Sequence, residues 1–498
     1  MKKEVELDLK VNVSLHKCKR AKRMIIQEME GSFTDEFGRL EAYCNEVRSS
    51  NPGSDVSVEL SREALEQGRR VFKRMYLCFN ASKVGWRTGC RPLIGVDGTF
   101  LKGKAKGILL TAMSLDANDS LYLLAFGLVS KENGLHWTWF LQWLQRSFDL
   151  GDGETVTVMS DMQKGLGNAM SEVLPHAEHR LCARHIYANW SKCWRGNELK
   201  KKFFTCAWSS FEEEFKDNLR SLEALSKPAA QAMVTYDPHA WVRAYFTPRC
   251  KSWSVDNNMS ESLNAWIDEY RFLPVIRMFD GIRVKMMAKW ADSENNVRNW
   301  TADHSPKCIE LFKSNRMLAV YCRVNFNGDK AFEVTERQDR HTVYLSRQMC
   351  TCRAWDLTGI PCQHAICAMY HAKIDPRTQI SHYYHKDTYL ASYQTKLQPV
   401  RGKQFWDTVT FLPMQPPPVT NLPGRPRKKR IRTEEAERRK KKSGYGADPI
   451  PMPVTPPTNQ SQPPHAEKLS KTGKHHKCGI CNQEGHNRST CKQVNHFT

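Results

Sequence analysis

The sequence predicts an α/β protein: one mixed sheet with helices packed on it and a helical insertion, then small metal-held modules joined by a linker that does not fold. Three observations predict it. Runs with strand period alternate with runs of helical period between residues 93 and 190, and cysteine and histidine cluster twice at metal-ligand spacing, in MCTCRAWDLTGIPCQHAICAM and KCGICNQEGHNRSTC. Thirteen of the 24 prolines crowd between Pro413 and Pro464, a composition that stays extended because it has too little apolar surface to bury.

In chain order, residues 1–85 read as an N-terminal helical segment. From Val13 to Arg70 apolar residues recur at helical spacing, with NPGSD as a break. PLIGVDGTF, GILLTAMSLDA and LYLLAFGLVS then form three β-rich runs with short turns between them, a meander. HWTWFLQWLQRSF is helical, TVTVMSD is a strand, and KGLGNAMSEVLP is a helix closed by Pro175. AEHRLC gives a short strand and ARHIYANWSKCW another helix. Three strands, helix, strand, helix, strand, helix is the order of a ribonuclease H-like domain, expected over residues 90–300. Residues 198–255, rich in Phe and Trp, read as its helical insertion. The zinc modules are expected at 335–375 and 476–493, with the proline-rich and basic linker over 410–470.

A chain of 498 residues exceeds what one core usually serves, which agrees with several units. The net charge of +22 favours polyanions through phosphate neutralisation, so nucleic acid is the expected partner. The longest apolar run, LYLLAFGLV, falls short of the roughly 20 residues that span a bilayer. No membrane partner is expected, and MKKEVELDLK lacks the apolar stretch of a signal peptide. Without that signal the seventeen cysteines read as metal ligands and reduced thiols rather than a disulfide framework.

Asp97 lies in the apolar run IGVDGTF and Asp161 ends TVTVMSD. A carboxylate in such a strand loses hydration, and a cation is one compensation for that cost. Glu261 opens the helix in NNMSESLNAWI and is the third candidate. Three carboxylates can hold two divalent cations about 4 Å apart for phosphodiester cleavage, with Mg2+ or Mn2+ suited to an all-oxygen site. The plainer readings stand beside this one: Asp97 as a turn residue before Gly98, and Asp161 as the cap of the next helix.

The run VDGTFLKGKAKGILLTAMSLDANDSLYLLAFGLVSKENGLHWTWFL, followed by SDMQKGLGNAMSEVLPHAEHRLCARHIYANW and by SVDNNMSESLNAWI, resembles the central transposase domain of plant Mutator-like elements. The resemblance implies that Asp97, Asp161 and Glu261 form the acidic triad that carries DNA cleavage and strand transfer. Cys182 and His185 match the Cys-x2-His signature of that family. Two ligands do not close a tetrahedral site, so a buried packing pair is the favoured reading of them. Family members carry a further domain before the helical segment, whereas this chain starts almost at the helices. That implies a shortened element copy or an incomplete reading of the gene.

Cys350, Cys352, Cys362 and His364 stand in the pattern C-x-C-x9-C-x-H, two tight pairs around a turn-forming GIP. The pattern resembles the SWIM zinc finger and points to structural zinc. Cys367, on the helix expected next, reads as a core residue. Cys478, Cys481, His486 and Cys491 have the C-x2-C-x4-H-x4-C spacing of a zinc knuckle, whose folding the metal would drive. Knuckles commonly contact single-stranded nucleic acid, though the exposed aromatic used for stacking is missing here and protein contacts are the alternative.

Between Gly424 and Lys442 eleven Lys or Arg face three Glu. PGRPRKK resembles an AT-hook, with Arg425 and Arg427 entering a narrow minor groove, and the same run suits nuclear import; a solvated basic tail is the plain alternative. The nucleus is the expected compartment. Three functions follow: a DNA transposase acting through DDE-type metal-dependent chemistry, a domesticated DNA-binding regulator without catalysis, and, resting on the knuckle alone, an RNA-binding protein.

Overall fold

The computed structural model describes residues 13–102, 106–407 and 412–418. The chain divides after Leu422, and all of these residues belong to the first unit. The AT-hook-like Arg425 and Arg427 and the knuckle residues Cys478, Cys481, His486 and Cys491 lie outside the described residues.

Two helices open the described chain, α1 (Leu15–Gly38) and α2 (Leu40–Ser50). Ser14 caps α1 by accepting the Lys17 N–H, which supplies one of the partners a helix start lacks. The helical expectation for residues 1–85 then needs correction. Strand β1 (Asp55–Leu60), short helix α3 (Arg62–Glu66), strand β2 (Phe72–Cys78) and helix α4 (Asn80–Gly89) follow, and both strands join the central sheet. Strand β2 is buried along MYLC, on both faces, so its sequence is an apolar run whose period does not separate strand from helix.

The central elements run in the expected order: β3 (Leu93–Phe100), β4 (Ile108–Leu115), β5 (Leu121–Val129), α5 (Gly134–Phe148), β6 (Thr157–Ser160), α6 (Lys164–Val173), β7 (Glu178–Leu181) and α7 (Ala183–Trp190). The seven strands are ordered β1-β2-β5-β4-β3-β6-β7. Pairing is antiparallel from β1 to β3 and parallel across β3, β6 and β7. Strands β3, β5, β6 and β7 therefore point the same way, and the loops leaving them open on one edge, where ligands of open α/β sheets bind. The mixed sheet and its helices are those of the ribonuclease H-like reading.

Helix α5 covers β5, where an ideal Cβ on Gly127 would stand 2.8 Å from Phe140 Cδ2; only glycine lets the ring this close. After α7 the insertion folds as α8 (Asn197–Trp208), α9 (Glu212–Leu225) and α10 (Lys227–Val234), and closes in two 3-10 turns. It has its own core, in which Phe203 stacks on Trp241 with centroids 5.1 Å apart. Helices α11 (Asn258–Trp266) and α12 (Val275–Asn296) return to the sheet, and α13 (Pro306–Ala319) leads to a second sheet.

That sheet is antiparallel, with β8 (Cys322–Phe326), β9 (Phe332–Glu336), β10 (Asp339–Tyr344) and β11 (Met349–Cys350) in the order β11-β10-β9-β8. Helices α14 (Ala354–Thr358) and α15 (Gln363–His371) follow, and α16 (Lys386–Gln394) packs back on α4. The linker expected from residue 410 is also corrected at its start. Residues 412–418 lie along β2, Gln415 exchanges backbone hydrogen bonds with Phe72 and Arg70, and Met414 is buried. No described helix is long and apolar enough to cross a membrane.

Candidate functional site

Strands β3 and β6 are parallel, with Ile94 opposite Val158 and Gly95 opposite Met159. Asp97 and Asp161 each stand two residues further on, at the same level of the carboxyl edge. The Asp161 charge adds to the upward shift of the Asp97 carboxyl. Burial is the larger cause of that shift, and the side-chain amide of Asn264, donating to Asp97 Oδ2 at 2.7 Å, opposes it.

Glu261 does not reach this pair. Its carboxylate is exposed and takes the Arg184 guanidinium at 2.8 Å, while the same guanidinium holds Asp256 at 2.9 Å. The residue of α11 that touches Asp97 is Asn264, one turn further on. The sequence-expected triad is therefore a pair in this structure, with its third member turned to an arginine.

A different carboxylate approaches. Glu132, in the loop between β5 and α5, lies over Gly98, where an ideal Cβ would stand 2.9 Å from its carboxyl carbon. Gly98 faces opposite to Asp97 along β3, so Glu132 reaches the edge from the α5 side. Its Oε1 accepts the Trp137 indole N–H at 3.3 Å. Burial, then the charge of Asp161, the latter with a smaller push from Asp97, raise its carboxyl to about 7. Sequence reading missed Glu132 because SKENG is an ordinary polar turn, yet β5 runs parallel to β3, which puts that turn on the edge that carries Asp97.

His185 completes the cluster. Its imidazole is raised to about 9, first by the hydrogen bond to Cys182 and, more weakly, by Asp161 and Asp97, with burial opposing. Cys182 is buried and its sulfur accepts the Asn257 N–H at 3.2 Å. The pair thus lies near the acidic edge, with the imidazole favoured in its charged form. The aspartate pair offers oxygen atoms of the kind hard divalent cations take, and a cation there would relieve the burial that raises Asp97 and Glu132, though among the described residues the three carboxylates do not bring ligand atoms within 4.8 Å of one another.

The second site is the tetrad on the small sheet. Cys350 ends β11, Cys352 follows in the turn, Cys362 caps α15 and His364 lies in its first turn. All four are buried, and their ligand atoms lie within 4.8 Å of one another. Sulfur and nitrogen donors about 2.0–2.3 Å from a tetrahedral zinc sit roughly 3.5–3.8 Å apart, so the tetrad fits that ion. Gly359 at φ +73° ends α14 in the left-handed region and turns the chain toward Cys362. Burial alone would raise the Cys362 thiol, but hydrogen bonds from Cys350, Cys352 and His364 hold it well below the usual thiol range. The same contacts push the Cys350 and Cys352 thiols up, so one thiolate is favoured in the set and the other two thiols would lose their protons only to a metal. Cys367 packs at the edge of this module, its thiol 3.6 Å from the Cys322 carbonyl.

Two family models match spans of the chain. Residues 93–189 match the MULE transposase domain and residues 341–373 the SWIM zinc finger. The first span holds Asp97, Glu132, Asp161, Cys182 and His185; the second holds all four tetrad residues. Over 322 residues, 55% of this chain, the sequence is 21% identical to Protein FAR1-RELATED SEQUENCE 4 of Arabidopsis thaliana, and the match covers 42% of that relative.

Proposed function

We propose that this chain belongs to the plant Mutator-like transposase family, and that it is a zinc-binding nuclear DNA-binding protein whose acidic edge performs metal-dependent phosphodiester cleavage. One observation carries the reading: Asp97 and Asp161 end up side by side at the carboxyl edge of neighbouring parallel strands, although 64 residues apart in sequence. Mg2+ or Mn2+ bound there would activate an attacking oxygen and stabilise the leaving one. Asp97 and Asp161 would hold the cation, Glu132 would close the site from the α5 side, and Asn264 would fix the Asp97 carboxylate.

DNA is the proposed partner because the chain carries +22, and because the basic run holding Arg425 and Arg427 and the knuckle at Cys478, Cys481, His486 and Cys491 both suit nucleic acid. The Cys350, Cys352, Cys362 and His364 tetrad would bind structural zinc, and the knuckle a second ion.

A second reading, a DNA-binding regulator without strand transfer, is favoured by Glu261, which the structure pairs with Arg184 instead of the aspartates. One assay separates the two. The full chain is incubated with DNA carrying candidate terminal repeats and Mg2+ or Mn2+, beside Asp97→Asn and Asp161→Asn. Metal-dependent nicking lost in both variants supports cleavage; tight, salt-sensitive DNA binding with no nicking by any protein leaves the regulator. Preference for RNA over DNA in the same binding assay would overturn both.

A further inference from the structure

We propose that Glu336 is the positioning residue of the zinc tetrad: it accepts the Nε2–H of His364 and so commits Nδ1 to the metal. The inference rests on the zinc reading of the tetrad. His364 Nδ1 stands 3.6 Å from Cys350 Sγ and 4.0 Å from Cys362 Sγ, while Nε2 stands 2.9 Å from Glu336 Oε2. The two nitrogens of one buried ring thus face different chemistry. A neutral imidazole carries one N–H, and a carboxylate oxygen at hydrogen-bond distance is where that proton is held.

Glu336 is itself held in place. It ends β9, opposite Cys322 of β8 and Asp339 of β10, and its Oε2 also accepts the Gln363 side-chain amide at 3.0 Å. Gln363 and His364 are neighbours on α15, so one carboxylate oxygen pins the start of the helix that Cys362 caps and that carries His364. A carboxylate behind a metal-bound histidine fixes the ring and raises its basicity, and its removal typically weakens metal binding about 10–100-fold.

A rival arrangement lies on the other side of the ring. Cys322, Glu336 and His364 also bring ligand atoms within 4.8 Å of one another. That set offers one thiol, one carboxylate and the same imidazole, three donors against four. It would also displace the proton that the 2.9 Å contact requires. The geometry therefore assigns the metal to the Nδ1 side, with Cys322 outside the coordination sphere.

The test uses the full chain carrying Cys478→Ser, which removes the knuckle as a competing site, and adds Glu336→Ala, Glu336→Gln, Cys322→Ser or Cys350→Ser. Zinc affinity is read by competition with a chromophoric chelator, and the ligand set by the Co2+ spectrum. Glu336→Ala should weaken zinc about 10–100-fold while keeping thiolate-to-cobalt bands and an unchanged circular dichroism spectrum of the metal-free protein. Glu336→Gln retains an acceptor oxygen and should recover part of the loss, and Cys322→Ser should match the parent. Affinity within twofold of the parent for both Glu336 variants overturns the proposal, as does a Cys322→Ser loss equal to that of Cys350→Ser. A parent protein with no thiolate-to-cobalt bands overturns the zinc reading of the tetrad itself, and with it the role of Glu336.

Discussion

Asn264 donates its side-chain amide to Asp97 Oδ2 at 2.7 Å, so the contact between α11 and the acidic edge is made one helical turn beyond Glu261. A carboxylate there would repel Asp97; an amide donor stabilises its charged form and leaves Glu261 to Arg184. The acidic edge is thereby kept ionisable in spite of burial, which is the condition for a cation to compete with a proton.

That contact is measurable by a double-mutant cycle. Asn264→Ala, Asp97→Asn and the double variant should give a coupling of about 1–2 kcal/mol in urea denaturation at pH 7.5, the range for a hydrogen bond to a charged group. Additive losses would mean that the amide and the carboxylate do not support each other in solution.

Glu132 gives a pH signature with a defined sign. Its carboxyl is raised from 4.5 to about 7 in the folded protein, chiefly by burial and next by Asp161. A raised folded-state value means that its contribution to stability is full below pH 4.5 and is lost as pH rises through 7. Glu132→Gln removes the titration, so the variant should gain on the wild type between pH 5 and pH 8 by ~1–2 kcal/mol, once solvent screening of a partly exposed group is allowed for. Denaturation across that range without added divalent metal checks it. A wild type that gains on the variant with rising pH contradicts the placement of Glu132.

The sequence made the sheet, the two aspartates on its strands and the Cys/His tetrad legible because their signals are local. A strand ending in Asp161, a meander holding Asp97 and two tight Cys/His pairs each declare themselves within about ten residues. What it hid depends on distant packing. Strand β1 alternates only weakly because Val56 alone is buried, and β2 reads as an apolar run. Residues 412–418 look like proline-rich linker until their backbone bonds to Arg70 and Phe72 are seen. Glu261 and Glu132 show the same limit for side chains: the sequence points to Glu261 and passes over Glu132, and only the folded positions of Arg184 beside the first and of Gly98 and Trp137 beside the second reverse that.

Metal removal should unfold one part and spare another. Cys350, Cys352 and Cys362 of the tetrad belong to a cluster with Phe332, Val334, Val343 and Trp355 that is separate from the core of the large sheet. Chelation, or Cys362→Ser, should therefore raise amide exchange across 341–373 by at least tenfold while β3, β4 and β5 keep their protection. Equal loss in both regions would show that the two cores unfold together.

Two helical glycines should respond to alanine with opposite signs. On Gly85 of α4 an ideal Cβ would lie 2.1 Å from the Ser392 carbonyl oxygen and 2.1 Å from the Tyr122 hydroxyl, a pair themselves joined by a 3.0 Å hydrogen bond. On Gly167 of α6 the same Cβ meets nothing within 4 Å. Alanine gains up to ~1 kcal/mol over glycine inside a helix. That gain stands alone at Gly167, so Gly167→Ala should stabilise by about 0.5–1 kcal/mol. At Gly85 the backbone of α16 must move, and overpacking of about 1–3 kcal/mol or more exceeds the helix gain. Since the clash falls on the contact that returns the chain to the large sheet after the zinc module, Gly85→Ala should also open the α16 segment to protease, which a general loss of helix propensity would not do. Urea midpoints for the two variants, with cleavage mapped near 386–394, decide it; a stabilised Gly85→Ala would show that α16 does not rest on α4.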